Sequence, residues 1–490
     1  MITFTALDWA VMLTYLIGIT AFGLFKGGSQ SSSQDYFLSE KKIPWLVVSF
    51  SIVATETSAL TFISIPGLAY LTNLNFLQLA IGYIIGRVIV SLIFLPKYFE
   101  GKLTTVYELI EYKFGSHLRK LTSLVFIITR LFADGVRLYA TAIPLTLILR
   151  GYGLFKGISD VELYMVSIGV ISILTMLYVL YGGLRAVIWT DLVQLMIYTF
   201  GGIVSLYFIS NQLPSISDAI THVNAVNKLA VFNFNLNNFF TTPYNAVLAI
   251  FGGIFLSMAS HGTDYIIVQR LFATKTLGES KKALIFSGIF VFVQFCLFLI
   301  IGSLLFILYS GAEMKADEVF PRFIIQSLPN GISGLIVAGI LAAAMSTLSS
   351  SINSISSSTV FDLLHQYSEK HFKTMEEKLK LSRKVSFFWG IILVGFALFF
   401  TQSEKSVVEI ALSIASVTYG GILGVFLLGT FRENYNQKSV TIGFIVSLIG
   451  MVILVFFTHI AWTLYTFIGS SITLLVAFLF ERLPIQNQRD

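Results

Sequence analysis

LAAAMSTLSSSINSISSST, residues 341–359, is the stretch on which the reading of this chain turns. It places hydroxyl and small side chains inside an apolar run, and no Asp, Glu, Lys or Arg interrupts residues 331–360. A helix over that run is long enough to cross the hydrocarbon of a bilayer. Ser346, Ser349, Ser350 and Asn353 recur at i, i+3, i+4 and i+7, which puts them on one helix face. Such a face turns to other helices, to water or to an ion, because lipid offers serine no partner. Two readings are open. Small residues let membrane helices approach closely. Neutral oxygens gathered on one face can also replace the water around a small hard cation such as sodium.

The rest of the chain sets the context. Of 490 residues, 56% are hydrophobic and only 12% charged, and the mean hydropathy of +0.82 lies far outside the range of soluble domains. Taking about 20 apolar residues per crossing, thirteen candidate spans emerge: 7–25, 44–71, 76–99, 121–149, 163–181, 187–209, 244–270, 283–309, 320–364, 385–400, 407–431, 440–458 and 460–480. The pattern implies an all-α integral membrane protein. The first span has no basic residue before it and no cleavage-like site after it, so it reads as a retained helix. A single cysteine, Cys296, excludes an internal disulfide or a cysteine metal cluster. The six histidines are scattered, and no P-loop, GxGxxG or nucleophile elbow is present. An enzyme is therefore not expected.

Basic residues orient the spans. With the N-terminus outside, 23 of the 32 Lys and Arg fall in inner loops and span ends, six fall outside and three lie within spans. This bias fits an odd span count and a cytoplasmic C-terminus in a cell membrane, most simply a bacterial inner membrane. It also accounts for the net charge of +6 without a nucleic acid partner. No separate soluble domain is visible, and the longest polar connection, 211–242, falls outside.

Two spans carry heavy polar interruption. The second reads SFSIVATETSALTFISIPGLAY (49–70), with a Thr/Glu/Thr/Ser cluster at its middle and Pro66-Gly67 beyond. The seventh reads FGGIFLSMASHGTDYIIVQR (251–270), with Ser257, Ser260, His261, Gly262, Thr263 and Asp264 at its middle. They lie five spans apart, which fits a five-plus-five inverted repeat with a solute between two broken helices. Carbonyls freed at such breaks are further cation ligands; the alternative is a pair of kinks satisfied by neighbouring helices.

Charges inside spans are costly. Glu56 sits at the second span's break and Arg87 in GYIIGRVIV, while Arg130, Asp134 and Arg137 share a face of the fourth span at i, i+4 and i+7. One reading is a buried ion-pair network in which Asp134 pairs with either arginine. The other gives Arg137 or Glu56 to a charged solute or a coupled proton. Asp191, in YGGLRAVIWTDLVQ (181–194), lies beyond a tight inner turn at Gly182-Gly183. It either benefits from a helix N-terminus or holds a second cation with the serine stripe.

YGGLRAVIWTDLVQ, TFISIPGLAY, DYIIVQR and AAAMSTLSSSINSISS together resemble the sodium:solute symporter family over nearly the whole chain. The resemblance implies a LeuT-like fold: one extra N-terminal helix (residues 1–43 with its inner loop), repeats at 44–210 and 243–431, and additional C-terminal helices in 432–490. It implies a sodium-coupled symporter that imports a small polar organic solute by alternating access. The family's main sodium site matches the carbonyls of Ala54, Thr57 and Ala343 and the hydroxyls of Ser346 and Thr347. A second sodium site, present in some relatives, would use Asp191, Ser346, Ser349 and Ser350. For the solute, Ser58, Thr61 and Phe76 match the lining of the sialic acid branch, with Glu56, Arg137 and His261 added from this chain's own polar positions. The arginine that holds the sialic acid carboxylate falls at Ala133, a third-span glutamine at Ala80, and the lysine of sugar-transporting relatives near Val291. The resemblance thus names neither a hexose nor a sialic acid. Proton coupling through Glu56 or Asp191 and a transporter-like nutrient sensor are the alternatives.

Overall fold

The computed structural model describes residues 4–39, 43–57, 59–100, 103–151, 157–400, 407–431 and 435–482, and no β-strand occurs among them. The helices are, in order, α1 (Ala6–Gly27), α2 (Ser33–Leu38), α3 (Trp45–Glu56), α4 (Ala59–Leu71), α5 (Phe76–Glu100), α6 (Glu108–Phe114) and α7 (Ser116–Gly151). Then come α8 (Asp160–Gln212), α9 (Ile216–Ala225), α10 (Ala246–Gly262), α11 (Tyr265–Phe272), α12 (Leu277–Leu308), α13 (Ala316–Ser327) and α14 (Ile332–Ser358). The last are α15 (His365–His371), α16 (Met375–Ala397), α17 (Val407–Phe431), α18 (Gln437–Phe457) and α19 (Tyr465–Arg482).

Eight of the described helices are long and apolar enough to cross a bilayer, or ten if each of two bent pairs makes one span. The bent pairs are the two polar-interrupted spans of the sequence: α3 and α4 meet at 54°, α10 and α11 at 56°. Glycine sets the division of the chain in two places. The expected spans 163–181 and 187–209 are two helices that join within α8 across a kink at Gly183 (φ 55°, ψ −158°). Only glycine holds that conformation cheaply, and a Cβ there would stand 2.4 Å from the Tyr36 carbonyl oxygen. The expected span 320–364 divides into α13 and α14, because Gly331 (φ 86°) starts a new helix. The Asp8 carboxylate of α1 accepts from the Gly331 and Gly334 amides at 2.6 and 2.9 Å, which fills donors that a helix N-terminus leaves unpaired.

Capping boxes begin α1 (Thr5 with Asp8), α8 (Ser159 with Glu162) and α16 (Thr374 with Glu377), so short polar signals fix where long apolar runs start. Burial then sorts the helices. The apolar window of α14 is 89% buried, against 28% for α18. The serine-rich helix is therefore the axis of the molecule, packed against α1, α7, α8 and α16. Exposed Ile17, Phe25, Leu92, Ile173 and Phe456 on the outer helices suit contact with lipid.

Candidate functional site

α3 ends at Glu56, and Thr57 leaves helical geometry at φ −87°, ψ 55°. Helix ends leave their last carbonyls without intrahelical donors. Val53's carbonyl takes the Thr57 amide at 2.8 Å, which closes the last turn of α3. The Thr57 hydroxyl is spoken for: Val53 O lies 2.7 Å away, Gln294 Oε1 of α12 lies 2.9 Å away, and the Tyr198 hydroxyl of α8 bonds to it. α14 packs against α3. There the Thr347 hydroxyl donates to the Ala343 carbonyl at 3.2 Å, a long bond that is readily exchanged. Of the five expected ligands of a main sodium site, Ala54, Thr57 and Ala343 are buried with Ser346 and Thr347.

The second expected site is built around Asp191. Its Oδ1 accepts from Ser346; its Oδ2 accepts from Ser51 at 2.5 Å and from Arg270 at 3.1 Å. Arg270 also donates to the hydroxyls of Ser51 and Ser350 and to the Ile266 carbonyl. Ser349 instead donates to the Ser346 carbonyl at 2.9 Å. Arg270, assigned from sequence to a cytoplasmic span end, is fully buried and supplies the cation beside Asp191. The reason is the length of α11: a helix of eight residues starting at mid-protein spans only about 12 Å and leaves its last turn inside.

A cavity of about 70 Å³ lies between α3 and α4, α5, α7, α10 and α11, α12 and α17, room for a few water-sized groups. Of the expected solute residues, Glu56, Thr61, Phe76, Arg137 and His261 line it, while Ser58 lies outside the described residues. Its apolar wall includes Leu60, Phe76, Leu256, Ile266, Phe295, Val408 and Leu412. Glu56 pairs with Arg87, which also donates to Ser287 at 2.7 Å. His261 Nε2 lies 3.3 Å from Glu56, and its Nδ1 lies 2.8 Å from the Ser260 hydroxyl.

The expected network of Asp134 with either arginine is present but weak: Arg130 and Arg137 approach it at 3.4 and 3.3 Å, and Ser351 of α14 donates to it. The firmer partner of Arg130 is Asp264, which the sequence placed in the seventh span without a mate. Asp264 caps α11 by accepting from the Ile266 amide at 3.0 Å, and its other oxygen takes both Arg130 of α7 and the Tyr419 hydroxyl of α17. Sequence reasoning also passed over Gln294, although one glutamine inside FVFVQFCLF was a visible signal.

A profile of the sodium:solute symporter family matches residues 36–447. The chain belongs to the sodium:solute symporter family. Across 95% of its length it is 29% identical to the sodium/sialic acid symporter SiaT of Proteus mirabilis (strain HI4320), covering 93% of that protein. It is 26% identical to the human sodium/iodide cotransporter over 90% of this chain and 70% of that protein. A solved structure, titled as the substrate-bound outward-open state of a Na⁺-coupled sialic acid symporter with a novel Na⁺ site, superposes with a TM-score of 0.85 at 28% identity, covering 97% of this chain and 98% of that one. This symporter is thus a multi-pass, all-α membrane protein of LeuT-like fold, a sodium-coupled secondary transporter and not an enzyme.

Proposed function

We propose that this symporter imports a small polar organic solute by alternating access, with sodium bound where α3 breaks beside α14. The observation that carries the reading is the pairing of a broken α3–α4 with a fully buried hydroxyl stripe on α14, next to a cavity lined by Glu56, Arg137 and His261. The Ala54, Thr57 and Ala343 carbonyls and the Ser346 and Thr347 hydroxyls are the oxygens assigned to the main sodium ion. Asp191, Ser346, Ser349 and Ser350 are assigned to a second, with Arg270 leaving Asp191 when that ion arrives. Ser58, Thr61, Phe76, Glu56, Arg137 and His261 are assigned to the solute.

Residues 44–210 and 243–431 are the two repeats of this reading, flanked by the N-terminal helix and by 432–490, for thirteen spans with the N-terminus outside and the C-terminus cytoplasmic. The membrane is a bacterial inner membrane. Coupling arises if sodium favours the solute-competent state, and linkage then makes solute favour sodium equally.

The test is uptake into proteoliposomes under an inward sodium gradient, with choline replacing sodium in the control. Uptake that collapses in choline is the expected result. Uptake indifferent to sodium, and driven instead by a pH gradient, would refute the reading.

A further inference from the structure

We infer that the solute is a zwitterion with a compact apolar body, an apolar amino acid in chemical class, held by its carboxylate at Arg137 and by its ammonium at Glu56. The inference rests on reading the cavity as the solute site.

The other ionised groups in and behind the cavity wall have firmer partners, although Arg87 Nε and Arg130 Nε are, like Arg137 Nε, buried without a partner among the described residues. Arg87 serves Glu56 and Ser287; Arg130 serves Asp264 and Tyr419; Asp134 takes Ser351. Two charged groups that line the cavity retain the most unused capacity. Glu56 spends only Oε2 on Arg87 and His261, and its buried Oε1 has no partner among the described residues. Arg137 makes one long contact to Asp134 at 3.3 Å, and its Nε is buried without a partner. Buried polar atoms of this kind are normally satisfied, and both residues line the same cavity. One unsatisfied atom is an acceptor carrying negative charge; the other is a donor carrying positive charge.

Charge balance narrows the class. Arg87, Arg130 and Arg137 stand against Glu56, Asp134 and Asp264 around this space. A solute of no net charge keeps that balance in a low-dielectric site, whereas a simple carboxylate would satisfy Arg137 and leave Glu56 Oε1 bare.

The experiment is a thermal-shift and radioligand-competition series on the purified full-length protein, in sodium and in choline. The probes are L-leucine, 4-methylpentanoate and isoamylamine, and L-phenylalanine, 3-phenylpropionate and 2-phenylethylamine. In sodium, an amino acid raises Tm, and removing either its ammonium or its carboxylate weakens binding by at least about tenfold. Arg137→Lys and Glu56→Gln each erase the preference for the amino acid over one truncated analogue. Arg137→Lys is the safer variant, because it leaves the Glu56–Arg87 pair whole. The inference is overturned if sodium alone shifts Tm but no amino acid adds to it, or if a monocarboxylate, hexose or sialic acid binds instead; sodium symport then still stands. If amino acids bind equally in choline, the solute class survives and sodium coupling fails.

Discussion

The two broken spans bend by nearly the same angle, 54° and 56°, yet their breaks are finished in opposite ways. At α10–α11 the break is closed by charge. Asp264 caps the new helix with one oxygen and holds Arg130 and Tyr419 with the other, so the turn is fastened to α7 and α17 by the protein itself. At α3–α4 the charge of Glu56, the last residue of α3, is turned to Arg87, and at Thr57 itself only neutral groups gather. The Thr57 hydroxyl meets Tyr198 and Gln294. One break is a fixed wall of the cavity. The other is where we propose that sodium binds, with the serine stripe of α14 packed against α3.

The contrast is broken most directly at the charged turn. Asp264→Ala leaves Arg130 buried without its main counter-charge, and losing one partner of such a pair costs about 3–5 kcal/mol. A steep fall in Tm and in detergent-stable yield is expected, measured by fluorescence-detected gel filtration after heating. A variant as stable as the parent would mean that the turn does not depend on this pair. Thr57→Val keeps the shape at the other break and leaves Tyr198 and Gln294 to pair with each other at 3.2 Å. Its expected cost is about 1 kcal/mol, read in the same assay. Equal damage from both variants would erase the distinction between the two breaks.

The smallest effect concerns the outer cover of the first break. α13 lies against α4 so closely that a Cβ on Gly67 would stand 1.9 Å from the Ala316 carbonyl oxygen. Next to it, burial pushes Asp317 up from 3.8 to about 6, against the lowering effect of its bond from the Val407 amide. The folded protein therefore holds this proton more tightly than the unfolded chain does. Its contribution to stability is complete below about pH 4 and is lost as pH rises through about 6. Asp317→Asn should remove a modest fall in Tm between pH 4.5 and 7. Parallel Tm-against-pH curves for parent and variant would show that this carboxyl does not titrate on the cover.

The sequence exposed the neutral half of this design better than the charged half. Serine spacing on α14 and the polar interruptions of both broken spans follow from one helix's own periodicity, and both are where they were expected. The Asp264–Arg130–Tyr419 link joins three helices far apart in sequence, and no spacing within one span can show it. Arg270 was assigned to the cytoplasm because charge near a span end normally lies there; a half-length helix kept it inside with Asp191. Gly183 read as a turn between spans, and it is that, but the helix resumes at once on its far side.

The central claim is that sodium binds through hydroxyls and freed carbonyls between α3 and α14. The most direct measurement is a sodium chloride titration of Tm for the purified protein, at ionic strength held constant with choline chloride, comparing the parent with Thr347→Ala. Binding to the folded state raises Tm by mass action. A saturable, sodium-specific rise in the parent is predicted, with the variant's half-saturation moved up about tenfold, equivalent to about 1.4 kcal/mol. Superimposable curves, or no rise specific to sodium, would contradict the account.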